Sequence, residues 1–425
     1  LAGVMVDEDY KRYYPYDTLA SRVIGFTGAD NQGIIGLEVS YDDILQGQNG
    51  AILTMTTARG LEIDGKAEER REPVAGQNLY TSIDSNLQQF ATQAAEKVRE
   101  AKNAAGVRVI MMNPQNGEIY AMVNSPEFSL TKPYELVDQS KNLSEKQKNE
   151  ELNKMWRNGC VSDTYEPGST FKIVTALDYF RQKGSLEGYS YLCQGSITVD
   201  DHTIQCYNGT VHGQEDFYSA FAHSCNCAFA DMGLGLGGDT LKSTAEDLLF
   251  NRALPLNSYK TSRFTLDKDS PNALVMQTSI GQGNTLVSPM HMALITSAIA
   301  NDGVLMKPTM IDKIVNNSGD MVRETEKTEY KRLMTRNEAN ILGKLMKNVV
   351  ENGTASALNG RGYTVAGKTG SAEFDENGSS HSWFVGYSNV DDPDIAIAVI
   401  VENGGTGSEA AVPIAADVFD AYYFD

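Results

Sequence analysis

Residues 166–183 read EPGSTFKIVTALDYFRQK, and this stretch decides how the chain folds around its most reactive side chains. Pro167 and Gly168 end any preceding helix. From Ser169 onward apolar residues recur at helical spacing, which predicts a buried helix that begins near Ser169. The residues on its apolar face are Ile173, Val174, Leu177 and Phe180.

The first turn of this helix carries a pair of groups suited to acyl transfer. A serine hydroxyl is a weak nucleophile that needs a base within hydrogen-bond reach. Lys172 follows Ser169 by three residues, so a helix places the amine over the same face as the hydroxyl. The free N–H groups of a helix start also favour developing negative charge. We therefore expect Ser169 to be a nucleophile activated by Lys172.

The Ser-x-x-Lys spacing alone does not identify a site, because the chain contains a second copy at Ser129 and Lys132. That copy lies between Pro126 and Pro133, where no stable helix can hold the two side chains in register. The motifs that follow Ser169 in the sequence therefore have to show which of the two copies forms a site.

Two later motifs supply that context. Ser-x-Asn begins at Ser140, Ser224 and Ser270, and only sequence order separates the three. Lys368-Thr369-Gly370 occurs once, within a predicted strand of small residues from Ala366 to Ala372. Such a strand accepts an extended peptide at its edge, with the lysine and threonine directed at a carboxylate. An isolated Lys-Thr-Gly would be better explained as an edge strand protected by a lysine.

The segments EPGSTFK, HSCN and AGKTG, in this order, resemble the three motifs of penicillin-binding proteins and serine β-lactamases. GQGNTLVSPMHMALITSAIANDG is similar to a stretch that these transpeptidases carry between the second and third motifs. RYYPYDTLASRVIGFTG and GIIGLEVSYDDILQGQNG resemble the membrane-proximal domain of class B penicillin-binding proteins. The resemblance covers nearly the whole chain.

The resemblance implies an α+β fold, in which an antiparallel sheet is flanked by helices and joined by a helical subdomain. Residues 77–425 would form this penicillin-binding transpeptidase domain. Residues 1–76 would form a smaller, β-rich, non-catalytic domain of the pedestal or dimerisation type. Strand patterns at VRVIMMN, EIYAMVN, HSWFVGYSN and DIAIAVIVEN agree with it. So does a helical pattern over Ser85–Lys102 with Leu87, Phe90, Ala94, Ala95 and Val98 on one face.

By the same resemblance, the catalytic residues are Ser169, Lys172 and Ser224. Ser169 attacks the carbonyl of a D-alanyl-D-alanine stem peptide, Lys172 is the base and Ser224 relays the proton. Backbone N–H groups of Ser169 and Ser371 form the oxyanion hole. The substrate-binding residues are Asn226 for the substrate amide, Lys368 and Thr369 for the terminal carboxylate, and Gly370 and Ser371.

Charge and hydropathy limit the partners. A net charge of -20 disfavours nucleic acid, because binding a polyanion requires a basic surface. No apolar run reaches the roughly 20 residues that cross a bilayer. The resemblance implies peptidoglycan stem peptides and β-lactams as ligands and a separate glycan polymerase as partner. It places the domain on the extracytoplasmic face of a bacterial membrane, anchored by an N-terminal segment absent from this chain.

The chain has five cysteines, and we predict neither a metal site nor a cofactor. Cys193 and Cys206 flank a predicted hairpin, and the sequence leaves open whether they form a disulfide. The group His223, Cys225 and Cys227 has no second pair at a matching spacing, which argues against zinc.

Two other functions compete with the transpeptidase. A class D β-lactamase or a β-lactam sensor shares STFK and KTG, but those proteins usually have valine where this chain has Asn226. In a non-catalytic scaffold for cell-wall assembly we expect residues of the catalytic motifs to be lost, whereas all three motifs are intact here.

Overall fold

The computed structural model describes residues 11–53, 69–137, 143–256, 262–373 and 380–424. Its contacts divide the chain into two compact units. The first joins the residues up to Thr81 with Phe128–Trp156 and Ile311–Glu326. The second contains Ser82–Glu127, Arg157–Met310 and the chain from Lys327 onward. Each unit is assembled from segments distant in sequence, and the domain division at residue 76 stays a prediction.

The described helices are, in chain order, α1 (Ser21–Ile24), α2 (Gly36–Ser40), α3 (Asp42–Leu45), α4 (Ser85–Lys102), α5 (Glu145–Trp156), α6 (Gly159–Ser162), α7 (Lys172–Lys183), α8 (Phe217–Ala222), α9 (Asn226–Leu236), α10 (Gly238–Asp247), α11 (Asn272–Ser279), α12 (Pro289–Ala300), α13 (Arg336–Asn352) and α14 (Ala411–Phe424). Short 3-10 turns span Gly168–Phe171, Tyr207–Gly209 and Ser356–Leu358. Among the described residues, no helix has both the length and the apolar character needed to cross a bilayer.

The described strands are β1 (Ala51–Leu53), β2 (Glu69–Arg71), β3 (Asn78–Thr81), β4 (Gly106–Met112), β5 (Ile119–Ser125), β6 (Tyr191–Cys193), β7 (Ser196–Val199), β8 (His202–Gln205), β9 (Gly213–Glu215), β10 (Val304–Met306), β11 (Ile311–Val315), β12 (Met321–Glu324), β13 (Glu329–Arg332), β14 (Val365–Glu373), β15 (Ser380–Ser388) and β16 (Ile395–Glu402).

The first unit is built around a small antiparallel sheet and an aromatic cluster. Its strands pair in the order β12-β11-β3. Phe26, Phe128 and Leu130 are buried together. The Trp156 ring meets Phe26 edge-on, with 5.2 Å between ring centroids. The later segments thus contribute both strands and core side chains to the unit.

The second unit contains the predicted antiparallel sheet, with strand order β14-β15-β16-β4-β5. β16 is buried from Ile395 to Val401, and α12 and α14 both contact it. A strand covered on both faces carries a continuous apolar run instead of an alternating one. β14 lies at the edge of the sheet, so one side of its backbone pairs with no other described strand.

Helix α4 has the predicted bounds, but its buried face is different. Asp84 caps its start, and Asn103 ends it in the left-handed conformation. Phe90, on the predicted apolar face, is exposed, whereas Gln88 is fully buried. The Gln88 amide donates to the Met122 carbonyl at 3.1 Å and accepts from Met122 N at 2.8 Å. These hydrogen bonds to β5 make a polar side chain the better one to bury here.

Candidate active site

Ser169 lies in the 3-10 turn Gly168–Phe171, which leads directly into α7. Gly168 has φ 52°, in the left-handed region that glycine adopts most readily. Its N–H donates to the Gly281 carbonyl at 2.9 Å. A Cβ on Gly281 would lie 1.9 Å from the Gly168 carbonyl oxygen, so only glycine fits at that contact. The α-helix thus begins at Lys172, three residues after the predicted start, and the turn before it contacts a glycine that is distant in sequence.

The turn touches the strand that carries Lys-Thr-Gly. A Cβ on Gly168 would meet the Ser371 carbonyl oxygen at 2.6 Å, and one on Gly370 would meet the Pro167 carbonyl oxygen at 3.0 Å. Ser371 Oγ accepts from the Gly407 N–H at 3.2 Å. Close backbone contact thus fixes the third motif beside Ser169.

Ser224 occupies the bend between α8 and α9. Its φ of 56° is left-handed, and Cys225 is the N-cap of α9. The Ser224 N–H donates to the Phe221 carbonyl at 3.2 Å. A non-glycine residue in this region is strained and is retained only where the surrounding structure fixes it. The bend presents the Ser224 hydroxyl to the lysines of the first and third motifs.

Lys172 is fully buried at the start of α7. Its Nζ donates to the Ser224 carbonyl at 2.7 Å, to Ser224 Oγ at 3.2 Å and to Asn226 Oδ1 at 2.7 Å. The amine also lies 5.4 Å from the centroid of the Phe229 ring. No hydrogen bond joins it to Ser169 Oγ among the described residues. The predicted contact between Lys172 and Ser169 thus stays a prediction, and the lysine is held by the second motif.

Lys368, in the third motif, also contacts the Ser224 hydroxyl. Its Nζ donates to Ser224 Oγ at 2.9 Å and to the Thr369 carbonyl at 3.1 Å, and the side chain is fully buried. Ser224 Oγ therefore lies within hydrogen-bond distance of both lysine amines.

Burial changes the protonation of the two lysines. It lowers the pKa of Lys172 to about 8, although the nearby thiols Cys225, Cys206 and Cys227 act in the opposite direction. Burial, and secondarily the charge on Lys172, hold the pKa of Lys368 well below its usual value. Two ammonium groups in one buried site repel each other, so the charged form of the second is disfavoured.

Two contacts at the site involve residues that the sequence motifs did not identify. Thr354 Oγ1 lies 2.5 Å from Thr369 Oγ1, and Asn226 Nδ2 donates to the Gln205 carbonyl at 2.8 Å. Thr354 follows α13, and Gln205 ends β8. Neither belongs to a motif, so no local pattern identified them. Each orients a side chain of a predicted substrate-binding residue.

The other motif copies lie elsewhere. Ser129 Oγ donates to Asp17 Oδ1 at 2.8 Å, and Lys132 pairs with Glu135 at 3.2 Å, so the second Ser-x-x-Lys forms no site. Ser270 Oγ donates to Asp267 Oδ1 at 3.1 Å. Ser140 lies outside the described residues. Of the three Ser-x-Asn sequences, only the one at Ser224 is seen beside Lys172.

The predicted hairpin of β7 and β8 is present, with Asp200 and Asp201 both at positive φ in its turn. It brings Cys193 Sγ to 3.7 Å from Cys206 Sγ, and both cysteines are free thiols. The disulfide that the sequence left open is therefore not formed in this structure.

The family comparison agrees with this geometry. Residues 107–420 match the penicillin binding protein transpeptidase domain, and residues 1–81 match the penicillin-binding protein dimerisation domain. This chain belongs to the penicillin-binding protein transpeptidase family. The fold predicted from the three motifs is confirmed.

Named relatives of this penicillin-binding protein cover almost all of the chain. Stage V sporulation protein D of Bacillus subtilis is 31% identical over 98% of the chain and 64% of its own length. Peptidoglycan D,D-transpeptidase PbpA of Mycolicibacterium smegmatis is 28% identical over 95% of the chain and 82% of its own length. The chain thus spans less than two thirds of the sporulation relative.

A solved structure has the same fold. The crystal structure of the D,D-transpeptidase domain of a peptidoglycan glycosyltransferase from Eggerthella lenta superposes with a TM-score of 0.81 at 25% identity. The match covers 97% of this chain and 92% of the Eggerthella chain. Both units of the penicillin-binding protein are therefore within the matched region.

Proposed function

We propose that this chain is a peptidoglycan D,D-transpeptidase that cross-links stem peptides through an acyl-enzyme on Ser169. The observation that carries the proposal is the position of Ser224 Oγ, 3.2 Å from Lys172 Nζ and 2.9 Å from Lys368 Nζ. Lys172 of the first motif and Lys368 of the third both contact this hydroxyl of the second motif, and Lys172 follows the proposed nucleophile by one helical turn. The proposed nucleophile Ser169, the lysine that follows it in the first motif and a second serine that contacts this lysine are groups suited to acyl transfer.

Acylation begins when Ser169 Oγ attacks the carbonyl between the two terminal D-alanines. The Ser169 proton passes to the neutral amine of Lys172. The C–N bond then breaks, and D-alanine leaves after its nitrogen receives a proton through Ser224. The product is an ester on Ser169, and attack by an amine of a second stem peptide forms the cross-link and frees the serine. Lys172 and Ser224 thus carry the proton in both half-reactions.

The negative charge of the tetrahedral intermediate needs donors. The N–H groups of Ser169 and Ser371 are the proposed pair, and the contact between Gly168 and Ser371 holds the two backbone segments together. Losing one such donor typically costs about 3 to 4 kcal/mol in the reaction barrier.

Substrate binding follows from the edge position of β14. An extended stem peptide pairs with this strand, where Gly370 and Ser371 leave room for its backbone. Lys368 and Thr369 bind the terminal carboxylate, with the Thr369 hydroxyl oriented by Thr354. Asn226 Oδ1 accepts from Lys172 and keeps a second lone pair for a substrate N–H.

β-Lactams would acylate the same serine and would separate this function from its competitors. The test is to incubate the protein with a labelled penicillin and follow its intact mass over hours. A transpeptidase retains one long-lived adduct per chain. Continuous turnover of the drug would favour a β-lactamase, and the absence of any adduct would favour a non-catalytic scaffold.

Membership of the family supports a proposal on localisation and on a partner. We propose that the parent protein is anchored at the extracytoplasmic face of the membrane by an N-terminal segment outside this chain, and that a glycan polymerase supplies its strands. Protease added to intact spheroplasts should digest the transpeptidase domain. Protection of the domain from that protease would contradict the placement, and failure to co-purify with a glycan polymerase from crosslinked membranes would contradict the partnership.

A further inference from the structure

Four metal-ligating side chains converge next to the second motif. Cys193 ends β6, Cys206 follows β8, His212 precedes β9 and Cys225 caps α9. One ligand atom from each lies within 4.8 Å of all the others. Turns and strand ends place all four, with 12, 5 and 12 residues between successive members. We call this set the Cys₃His quartet.

The distances within the quartet are those of a tetrahedral zinc site. Zn–S bonds of about 2.3 Å place two sulfurs of a tetrahedron about 3.8 Å apart, and a Zn–N bond of about 2.0 Å places sulfur and nitrogen about 3.5 Å apart. Cys206 Sγ lies 3.7 Å from Cys193 Sγ and 3.7 Å from Cys225 Sγ. Cys193 Sγ lies 3.5 Å from His212 Nδ1. Three edges of the tetrahedron are therefore already formed.

The surroundings suit a structural metal rather than a reactive one. The three cysteines are at most 2% exposed, and four protein donors leave no open coordination position. Thiolate and imidazole donors in a tetrahedral arrangement select zinc over the oxygen-seeking divalent ions. Cys227 Sγ lies 3.4 Å from Cys206 Sγ but outside the quartet.

The histidine of the quartet has an outer layer that holds its ring. The His212 ring stacks on His223, with 5.7 Å between centroids and 6° between planes. His223 Nδ1 lies 2.8 Å from Glu215 Oε1, and Glu215 is buried. This stacking limits the rotation of the His212 ring.

We propose that Cys193, Cys206, His212 and Cys225 bind one zinc ion that fixes the second motif of the active site. Cys225 stands between Ser224 and Asn226 in sequence, and Cys206 follows Gln205, whose carbonyl holds the Asn226 amide at 2.8 Å. The ion ties the hairpin to the start of α9. The quartet residues are thus positioning residues, and their effect on acylation rests on the proposed function.

Zinc content tests the site independently of activity. The full chain, purified without a histidine tag, is incubated with zinc, desalted and analysed for metal by mass spectrometry. We expect about one zinc per chain, and at least a tenfold weaker zinc affinity for Cys206→Ser and for His212→Ala. Cys160→Ala, a buried cysteine outside the quartet, is the matched control and should bind as the parent does. Less than a tenth of an equivalent in the parent, or undiminished binding in both variants, overturns the site.

Cobalt keeps the test decisive if the variants do not fold. Cobalt(II) bound to the parent chain should give the strong visible bands of a tetrahedral site and a thiolate charge-transfer band. A weak octahedral spectrum without the thiolate band overturns the proposal.

Acylation by penicillin tests the positioning role separately. Removing zinc with a chelator should slow acylation at least tenfold, and adding zinc back should restore it. If the chain binds zinc but is acylated equally fast without it, the zinc site stands and its role in positioning the second motif is overturned. Failure of acylation in both forms contradicts the transpeptidase function instead.

Discussion

Lys368 Nζ donates to Ser224 Oγ at 2.9 Å, across 144 residues of chain. This contact joins the third motif to the second, with the Lys368 side chain fully buried and Ser224 half-buried. A hydroxyl that contacts an amine can pass a proton while remaining neutral, which suits a relay between the substrate nitrogen and the lysines.

Removing the Ser224 hydroxyl should slow acylation by labelled penicillin by about 10²-fold or more, since it removes a proton-transfer group. Ser224→Ala tests this, but alanine at φ 56° is strained. Ser224→Gly removes the hydroxyl and relieves the strain, so the two variants should lose acylation alike. Retention of the parent rate by Ser224→Gly would remove Ser224 from the mechanism.

The acylation rate should depend on the protonation of Lys172. A base acts only when deprotonated, and burial lowers the pKa of Lys172 to about 8. The rate should therefore be low near pH 6 and rise with pH through about 8, as measured by stopped-flow with a chromogenic β-lactam. Lys172→Arg, which stays charged, should not acylate at any pH in this range. A flat profile, or an active arginine variant, would exclude Lys172 as the base.

A glycine at position 281 should be required for its close contact with Gly168, the residue before the nucleophile. Gly281→Ala places a methyl 1.9 Å from the Gly168 carbonyl oxygen, and the turn that carries Ser169 must move. We expect at least a tenfold loss in the acylation rate. Gly184→Ala is the matched control, because Gly184 has a similar positive φ of 73° but no atom within 4 Å of the added methyl. If both variants lower the acylation rate equally, the effect of Gly281→Ala comes from backbone strain and not from its contact with Gly168.

His291 should make the transpeptidase unit less stable in mild acid. Its Nε2 lies 2.6 Å from the Leu248 carbonyl, and its Nδ1 has no hydrogen-bond partner within the described parts of the chain. Burial lowers its pKa from 6.5 to about 4. Because the folded pKa is the lower one, the unfolded chain takes up the proton first as pH falls. Stability is then full above about pH 6.5 and is lost between pH 6.5 and 4.

Between pH 7 and pH 5 this amounts to about 2 kcal/mol in the free energy of unfolding. Urea unfolding in a Trp156→Phe background, where Trp383 reports alone, measures it. His291→Leu should lose this pH dependence of about 2 kcal/mol in the free energy of unfolding. If the variant loses as much stability between pH 7 and pH 5 as the parent, His291 is not its source.

The sequence predicted the fold well because its signals are local or shared by a family. The apolar run of β16 and the caps of α4 are readable from neighbouring residues. Phe90 stands on the predicted apolar face of α4 and yet is exposed. A helical pattern does not reveal that the Gln88 amide finds hydrogen bonds on β5.

The candidate site was predictable only as far as its motifs extend. Ser169, Lys172 and Lys368 stand in recognisable patterns, but Thr354 and Gln205 reach the site through the fold alone. The cysteines show the same limit. The sequence offered Cys225 with its neighbours His223 and Cys227 and argued against zinc, whereas the ligand atoms of Cys193, Cys206 and His212 lie within 4.8 Å of that of Cys225 and their spacings match no short motif.

The site of the penicilloyl group tests the central claim most directly. After brief reaction with penicillin and tryptic digestion, the adduct should lie on the peptide from Asn158 to Lys172, and fragment ions should place it on Ser169. Ser169→Ala should carry no adduct, and Ser129→Ala, which alters the other Ser-x-x-Lys, should be labelled like the parent. An adduct on Ser162, Ser224 or any other residue, or undiminished labelling of Ser169→Ala, would contradict Ser169 as the nucleophile.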